Sequence, residues 1–345
     1  MGNRVAERKR AASRQAPRRA GLGLLIGVIG IVGMFAVRAL TQGLGEWSLP
    51  DRLQDLVTLS ISVIVESLPF VILGVLLSVV VQVWVPDRWI ARILPRNALA
   101  RRAVISLVGV LLPVCECGNV PLARGLMVKG VAVSDSVAFL LAAPILNPIT
   151  IVTTGQAFGY DSPIFIARIV GGFLIANLLG WLFSRHPHQD SLLTPGFAAE
   201  CRVPARHEHG RGARWSRSVE LFGHELGTIM PALFIGSIIA GAVQVGVPRS
   251  VLLGLGSDPL WSILAMMVLA FVISICSNVD SFFILPFATT FMPGSIAVFL
   301  LFGPIVDIKM LSLMRTTFTV RTLVLLTALV GLLSALVGLV VNYVA

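Results

Sequence analysis

Long apolar blocks alternate with short polar ones along this chain. The apolar blocks fall near 21–40, 56–85, 103–128, 134–156, 163–184, 219–247, 259–290, 294–312 and 322–344. Many reach the ~20 residues that carry a helix across a bilayer core. The ~10-residue alternation of a membrane β-barrel is missing. The pattern predicts an all-α polytopic membrane protein whose first partner is the lipid bilayer. Two blocks, 103–128 and 259–290, are interrupted by prolines, glycine and polar residues.

The polar blocks predict an organisation. Residues 1–20 form a basic tail with seven Lys/Arg, and 21–55 a first transmembrane helix with an external loop. The 21–40 run is too long for a signal peptide and lacks an A-x-A site, so it is read as retained. Residues 185–218 hold six arginines, three acids and four histidines, a composition suited to a flexible cytoplasmic linker. This leaves a repeat at 56–184 and a second at 219–345.

The two repeats are legible as self-similarity. PFVILGVLLSVVVQVWVP (69–86) aligns without gaps to PALFIGSIIAGAVQVGVP (231–248). CGNVP (117–121) falls on CSNVD (276–280), and PILNP (144–148) on PIVDI (304–308). Charge orients them. The segment 86–102 has five arginines, whereas 41–55, 157–162 and 248–258 share two. Positive-inside bias is satisfied if 103–128 enters the membrane and returns. That makes the repeats inverted, with broken-helix hairpins whose tips meet near the midplane, as in many secondary transporters. It also puts the N-terminus in the cytoplasm and the chain in the cytoplasmic (inner) membrane.

Composition narrows the function. The chain is 56% hydrophobic and 13% charged, with net charge +10. The basic residues sit between apolar blocks, as orientation requires, so nucleic acid is not expected as a partner. No P-loop, H-E-x-x-H or G-x-S-x-G motif occurs, so neither an enzyme nor a cofactor is expected.

Candidate chemistry concentrates in PVCECGNVP (113–121). Pro113 and Pro121 each remove a backbone donor, and Gly118 permits a tight bend. Cys115 and Cys117 face the same way only if the backbone is unwound. Cys276 is the repeat partner of Cys117, and three thiols at one point suit a soft solute such as trivalent arsenic, cuprous or zinc ion. Buried cysteine is also a good packing residue. Cys201 lies in the polar linker and is read as incidental, and the linker histidines match no tight metal spacing.

Glu116, Asp280, Asp307 and Glu66 are acids at membrane depth, each a coupling group or cation ligand by default. Asn119 and Asn278 are equivalent positions that could cap half-helices or touch substrate. Asn147 and Asp307 lie beside Pro144, Pro148 and Pro304, which predict kinks. Asp307 has Lys309 and Arg315 as near partners. Arg124 and Lys129 are read as anchors at the foot of the first hairpin, and Arg168 as snorkelling from a helix end.

PVCECGNVPLARGLMVKG, AAPILNPIT, CSNVDSFF and FGPIVDIKM together resemble the predicted-permease family that includes the organoarsenical efflux permeases. The resemblance runs from about residue 55 to the C-terminus. It implies secondary transport across the cytoplasmic membrane. For the arsenic members it implies trivalent organoarsenicals bound by membrane cysteines, here Cys115, Cys117 and Cys276. The leading expectation is a proton- or gradient-driven permease for a soft, thiol-seeking solute, with efflux favoured by that resemblance. A metal-ion transporter using the acids as ligands, a membrane thiol redox protein, and a subunit acting beside a partner protein are the other readings. Homo-oligomerisation is left open.

Overall fold

A computed structural model describes residues 51–344 except 87, 88, 90, 91, 93, 112–114, 203–210 and 247–258. The basic tail, the 21–40 helix and Pro113 therefore lie outside the described residues. Within them the fold is all-α, as the apolar blocks predict, with no strand beyond one isolated bridge between Leu193 and Phe318.

The first half begins with α1 (Asp51–Val83), a 33-residue helix about 50 Å long. Then come α2 (Ala98–Leu107), extended by a 3₁₀ turn to Leu111, and α3 (Glu116–Val128). The half closes with α4 (Val133–Ala142), α5 (Pro148–Phe158) and α6 (Pro163–Ser184). After a short linker helix, α7 (Pro195–Cys201), the order recurs. α8 (Arg211–Gly246) corresponds to α1, α9 (Pro259–Ile273) to α2, and α10 (Asp280–Ile284) to α3. α11 (Pro293–Phe302), α12 (Ile308–Met314) and α13 (Val320–Val344) correspond to α4, α5 and α6. Among the described residues, four helices, α1, α6, α8 and α13, are long and apolar enough to cross a membrane.

The corresponding helices α1 and α8 pack along each other antiparallel. Gly241, late in α8, lies on Ser60 and Leu56 in the first third of α1, while Gln82 at the far end of α1 reaches Glu225 in the first half of α8. The two copies thus run in opposite senses. Within a bilayer such contacts depend on close van der Waals packing, so small residues hold the interface. At Gly74 of α1, a Cβ would stand 2.2 Å from the Gly118 carbonyl oxygen of α3. The repeat-equivalent Gly236 of α8 packs on Ser312 and Lys309 of α12. So α1 seats α3, and α8 seats α12.

Two expectations are corrected here. The 134–156 and 294–312 blocks are not kinked helices but pairs of helices broken at 143–147 and 303–307. The cause is local: Asn147 precedes Pro148 and takes extended backbone (ψ 133°), because a residue before proline is driven out of the α region. The linker, in turn, is ordered over 185–202. Leu192, Leu193 and Phe197 are buried, and the chain is stitched to the α12–α13 turn by Thr194 N–H to Thr317 O (2.9 Å) and Thr319 N–H to Leu192 O (3.0 Å).

Candidate functional site

Four short helices, α3, α5, α10 and α12, start in the interior, each just after a break. Their first turns come together. Glu116, the first residue of α3, meets Lys309 of α12, while Thr150 and Thr154 of α5 meet Asn278 just before α10 and Ser281 within it. The segment before α10 joins the two groups: Ser277 Oγ donates to Glu116 Oε2 at 3.1 Å. Glu66, near the midpoint of α1, lies in the electrostatic reach of Glu116 and Lys309.

The thiol group is built on the breaks before α3 and α10. Cys115 precedes α3 in extended backbone (φ −71°, ψ 173°), while Cys117 lies in its first turn. The C-x-C is thus extended only at its first residue, and the helix has already begun at Glu116. The Cys115 thiol lies against those of Cys117 and Cys276. The ligating atoms of Cys115, Glu116 and Cys276 all fall within 4.8 Å of one another. Cys276 Sγ donates to Glu116 Oε2 at 3.7 Å. All three cysteines are unpaired and buried.

Glu116 is fully buried, and Lys309 Nζ donates to its Oε1 at 3.3 Å. Such a pair is sustained by mutual attraction plus further donors, here Ser277. Asp307 caps α12 by accepting from the Met310 N–H, while its second oxygen, Oδ2, is buried without a hydrogen-bond partner. Asn119 is 1% exposed, and neither its oxygen nor its nitrogen has a partner. A buried amide with both ends unsatisfied is costly in a static fold and calls for a ligand.

The neighbouring group centres on Arg168. It projects from a π-helical turn, Ala167–Gly171, inside α6. Turns of this kind break the α register and recur at functional sites. Its guanidinium grips Asp280 at 2.6 and 2.9 Å and also reaches Ser281 (2.7 Å) and Thr154 (2.9 Å). Arg168 is buried, not snorkelling.

Arg124 is likewise not an interfacial anchor. Buried near the linker end of α3, it donates to Glu225 of α8 and Glu200 of α7, each at 3.1 Å, and to the Thr316 carbonyl at 3.1 Å. Phe197 of α7 stacks on it, 4.1 Å from ring centre to guanidinium carbon. Hairpin, long helix and linker are thereby tied at one point.

Comparison with known proteins fits this architecture. Residues 52–343 match a family model described as "Predicted permease" (ArsP_1). The chain belongs to this predicted-permease family. It is 38% identical over 269 residues to "UPF0718 protein YcgR" of Bacillus subtilis, covering 77% of this chain and 90% of that one. It is 32% identical over 280 residues to the "Putative two-component membrane permease complex subunit" of Streptococcus mutans (79% and 90%). It is 25% identical over 277 residues to "UPF0718 protein YraQ" of Escherichia coli (77% and 75%). No solved structure matches. The chain is a multi-pass membrane permease, a transporter in kind.

In this permease the expected site residues divide. Cys115, Cys117, Cys276 and Glu116 form the thiol group, with Asp307 and Glu66 in electrostatic reach of it, while Asn119 lies buried in the first turn of α3. Asp280 belongs to the Arg168 group, and Asn278 accepts from Thr150 Oγ1 at 3.4 Å. Neither Asn119 nor Asn278 caps a half-helix; the caps are Asn147 and Asp307. Gly118 does not bend the chain. It is helical, and its lack of a side chain admits Gly74. Pro121 lies inside α3 and leaves the Cys117 carbonyl without its helical donor. Pro148 opens α5, while Pro144 and Pro304 sit in the breaks. Sequence reasoning gave Lys309 only to Asp307 and overlooked Ser277. A lysine inside an apolar block was the available signal.

Proposed function

We propose that this permease is a secondary transporter for a soft, thiol-seeking solute, a trivalent organoarsenical or another metalloid or metal. The observation that supports this most is the convergence of the Cys115, Cys117 and Cys276 thiols with Glu116 where broken helices begin. Sulfur ligands select soft acceptors, and a nearby carboxylate adds charge. Asn119, a buried amide without a partner, is placed to offer a hydrogen bond to the bound solute. Glu66, exposed halfway along α1, is placed to take a coupling proton. The inverted halves rock about the site to alternate access, and the charge bias of the loops favours a cytoplasmic N-terminus. Efflux follows from the resemblance to the organoarsenical permeases.

The test is cellular element content. Cells expressing wild type, Cys276→Ser or an empty vector are exposed to methylarsenite, arsenite, copper, zinc and cobalt. Depletion of one solute with wild type alone supports efflux, and enrichment reverses the direction. No difference for any solute sinks the reading. If Glu116→Gln abolishes binding of a metal ion and not merely its coupling, the metal-ion transporter reading is preferred. The name of the Streptococcus mutans relative favours assembly with a second subunit. Affinity purification from native membranes tests this through a stoichiometric partner band.

A further inference from the structure

Lys309 is the feature that a thiol site for soft solutes does not by itself explain. It is 1% exposed, and it holds the one acid, Glu116, that shares a ligand cluster with Cys115 and Cys276. Lys309 holds Oε1 of Glu116 while Cys276 and Ser277 donate to Oε2, so a cation that takes Glu116 as a ligand meets an ammonium already on the same carboxylate and is repelled by it. The fold supplies a place for that group to go. Asp307, two residues earlier on the same turn, faces Lys309 electrostatically and keeps its buried Oδ2 without a hydrogen-bond partner. The other charged or ionisable groups near Lys309 are Glu66 of α1, Cys117 of α3 and Cys276 in the break before α10.

We infer that Lys309 is a tethered internal cation that competes with the transported solute for Glu116 and shifts to Asp307 Oδ2 when the solute binds. This deepens the proposed function and rests on it, because it needs the thiol group to be the binding site. It names the charge class: the preferred solute is a thiophilic cation that can replace an ammonium, and not a neutral thiophile. In either position the ammonium has a carboxylate, so the site holds one cation at Glu116 in both states. A hard cation without sulfur affinity gains too little from two thiols to displace Lys309, which makes the lysine a selectivity filter as well.

Cadmium ion alone, and methylarsenite as a neutral thiophile, are the probes. Both are bound to the purified full chain in detergent and measured by equilibrium dialysis with elemental mass spectrometry. Lys309→Gln should bind cadmium at least about 10-fold more tightly than wild type, since a buried competing ion pair has been removed. Lys309→Arg should keep wild-type affinity. Asp307→Asn should weaken cadmium about 10-fold, because the displaced ammonium loses its second carboxylate. Methylarsenite should gain much less than cadmium from Lys309→Gln.

Cadmium affinity that is unchanged or lower in Lys309→Gln, with Cys276→Ser still abolishing it, overturns the displacement while leaving the thiol site standing. An equal gain for both probes overturns it as well. Binding that is indifferent to Cys115→Ser and Cys276→Ser removes the thiol site and the inference with it. Should Lys309→Gln fail to give a monodisperse protein, Asp307→Asn decides: unchanged or tighter cadmium binding refutes the proposal.

Discussion

Gly74→Ala should damage this permease far more than one methyl group suggests. The new Cβ would meet the Gly118 carbonyl oxygen at 2.2 Å, its Cα at 2.5 Å and its carbonyl carbon at 2.7 Å. All three are backbone atoms, so no rotamer can give way. Restoring ordinary contact moves α1 from α3 by about 1 Å, and overpacking of this kind costs about 1–3 kcal/mol. The matched control is Gly223→Ala in α8, where a Cβ meets nothing within 4 Å. There the helix gains about 0.5–1 kcal/mol from lost backbone freedom. The two variants should therefore differ by about 2–4 kcal/mol, a gap of roughly 5–10 °C in apparent melting temperature. Thermal unfolding of the detergent-solubilised proteins measures it. Because α3 carries Cys117 and Glu116, solute binding should fall with stability in Gly74→Ala and hold in Gly223→Ala. Equal melting of the two variants would refute the packing of α1 on α3 described above.

Arg124→Met leaves Glu225, 2% exposed, without its cation and should cost about 3–5 kcal/mol; Arg124→Met with Glu225→Leu should recover most of it in the same melting assay. The Cys201 thiol is pushed up to about 11, by burial first and then by the Glu200 charge. Its thiolate population near pH 7 is thus about 100-fold below that of an ordinary thiol. Iodoacetamide mapping should find it slow, with a rate that rises about tenfold per pH unit until that value is passed. Ser274 ends α9 with φ 52°, in the left-handed region that a side chain resists. Ser274→Gly should stabilise by about 1 kcal/mol and Ser274→Val should destabilise, both read from unfolding midpoints.

How far the residue pattern reached can be followed through particular positions. The apolar blocks and the duplication were legible because each leaves a local trace, length or recurrence; the C-x-C was read as unwound, yet only Cys115 is extended and Cys117 is helical. The breaks at 143–147 and 303–307 were read as kinks although Asn-Pro at 147–148 marks a helix boundary. Gly118 was misread for a different reason. Its purpose depends on Gly74, which lies 44 positions earlier, and no periodicity connects the two. The buried charges fared worst. Arg124 and Arg168 were placed at helix ends because a lone arginine in an apolar run is costly without a partner, and their partners Glu225, Glu200 and Asp280 come from the other half or from the linker. Inverted repeats bring distant acids and bases together, so pairing within one block is a poor guide.

The central claim is that the Cys115, Cys117, Cys276 and Glu116 cluster is where the permease holds its solute. X-ray absorption at the arsenic or cadmium edge, on the purified full chain loaded with methylarsenite or cadmium ion, tests this directly. Sulfur ligation from at least two protein thiols, losing one sulfur in Cys276→Ser and another in Cys115→Ser, is the predicted result. A first shell of oxygen or nitrogen only, or a sulfur shell indifferent to both substitutions, would contradict it.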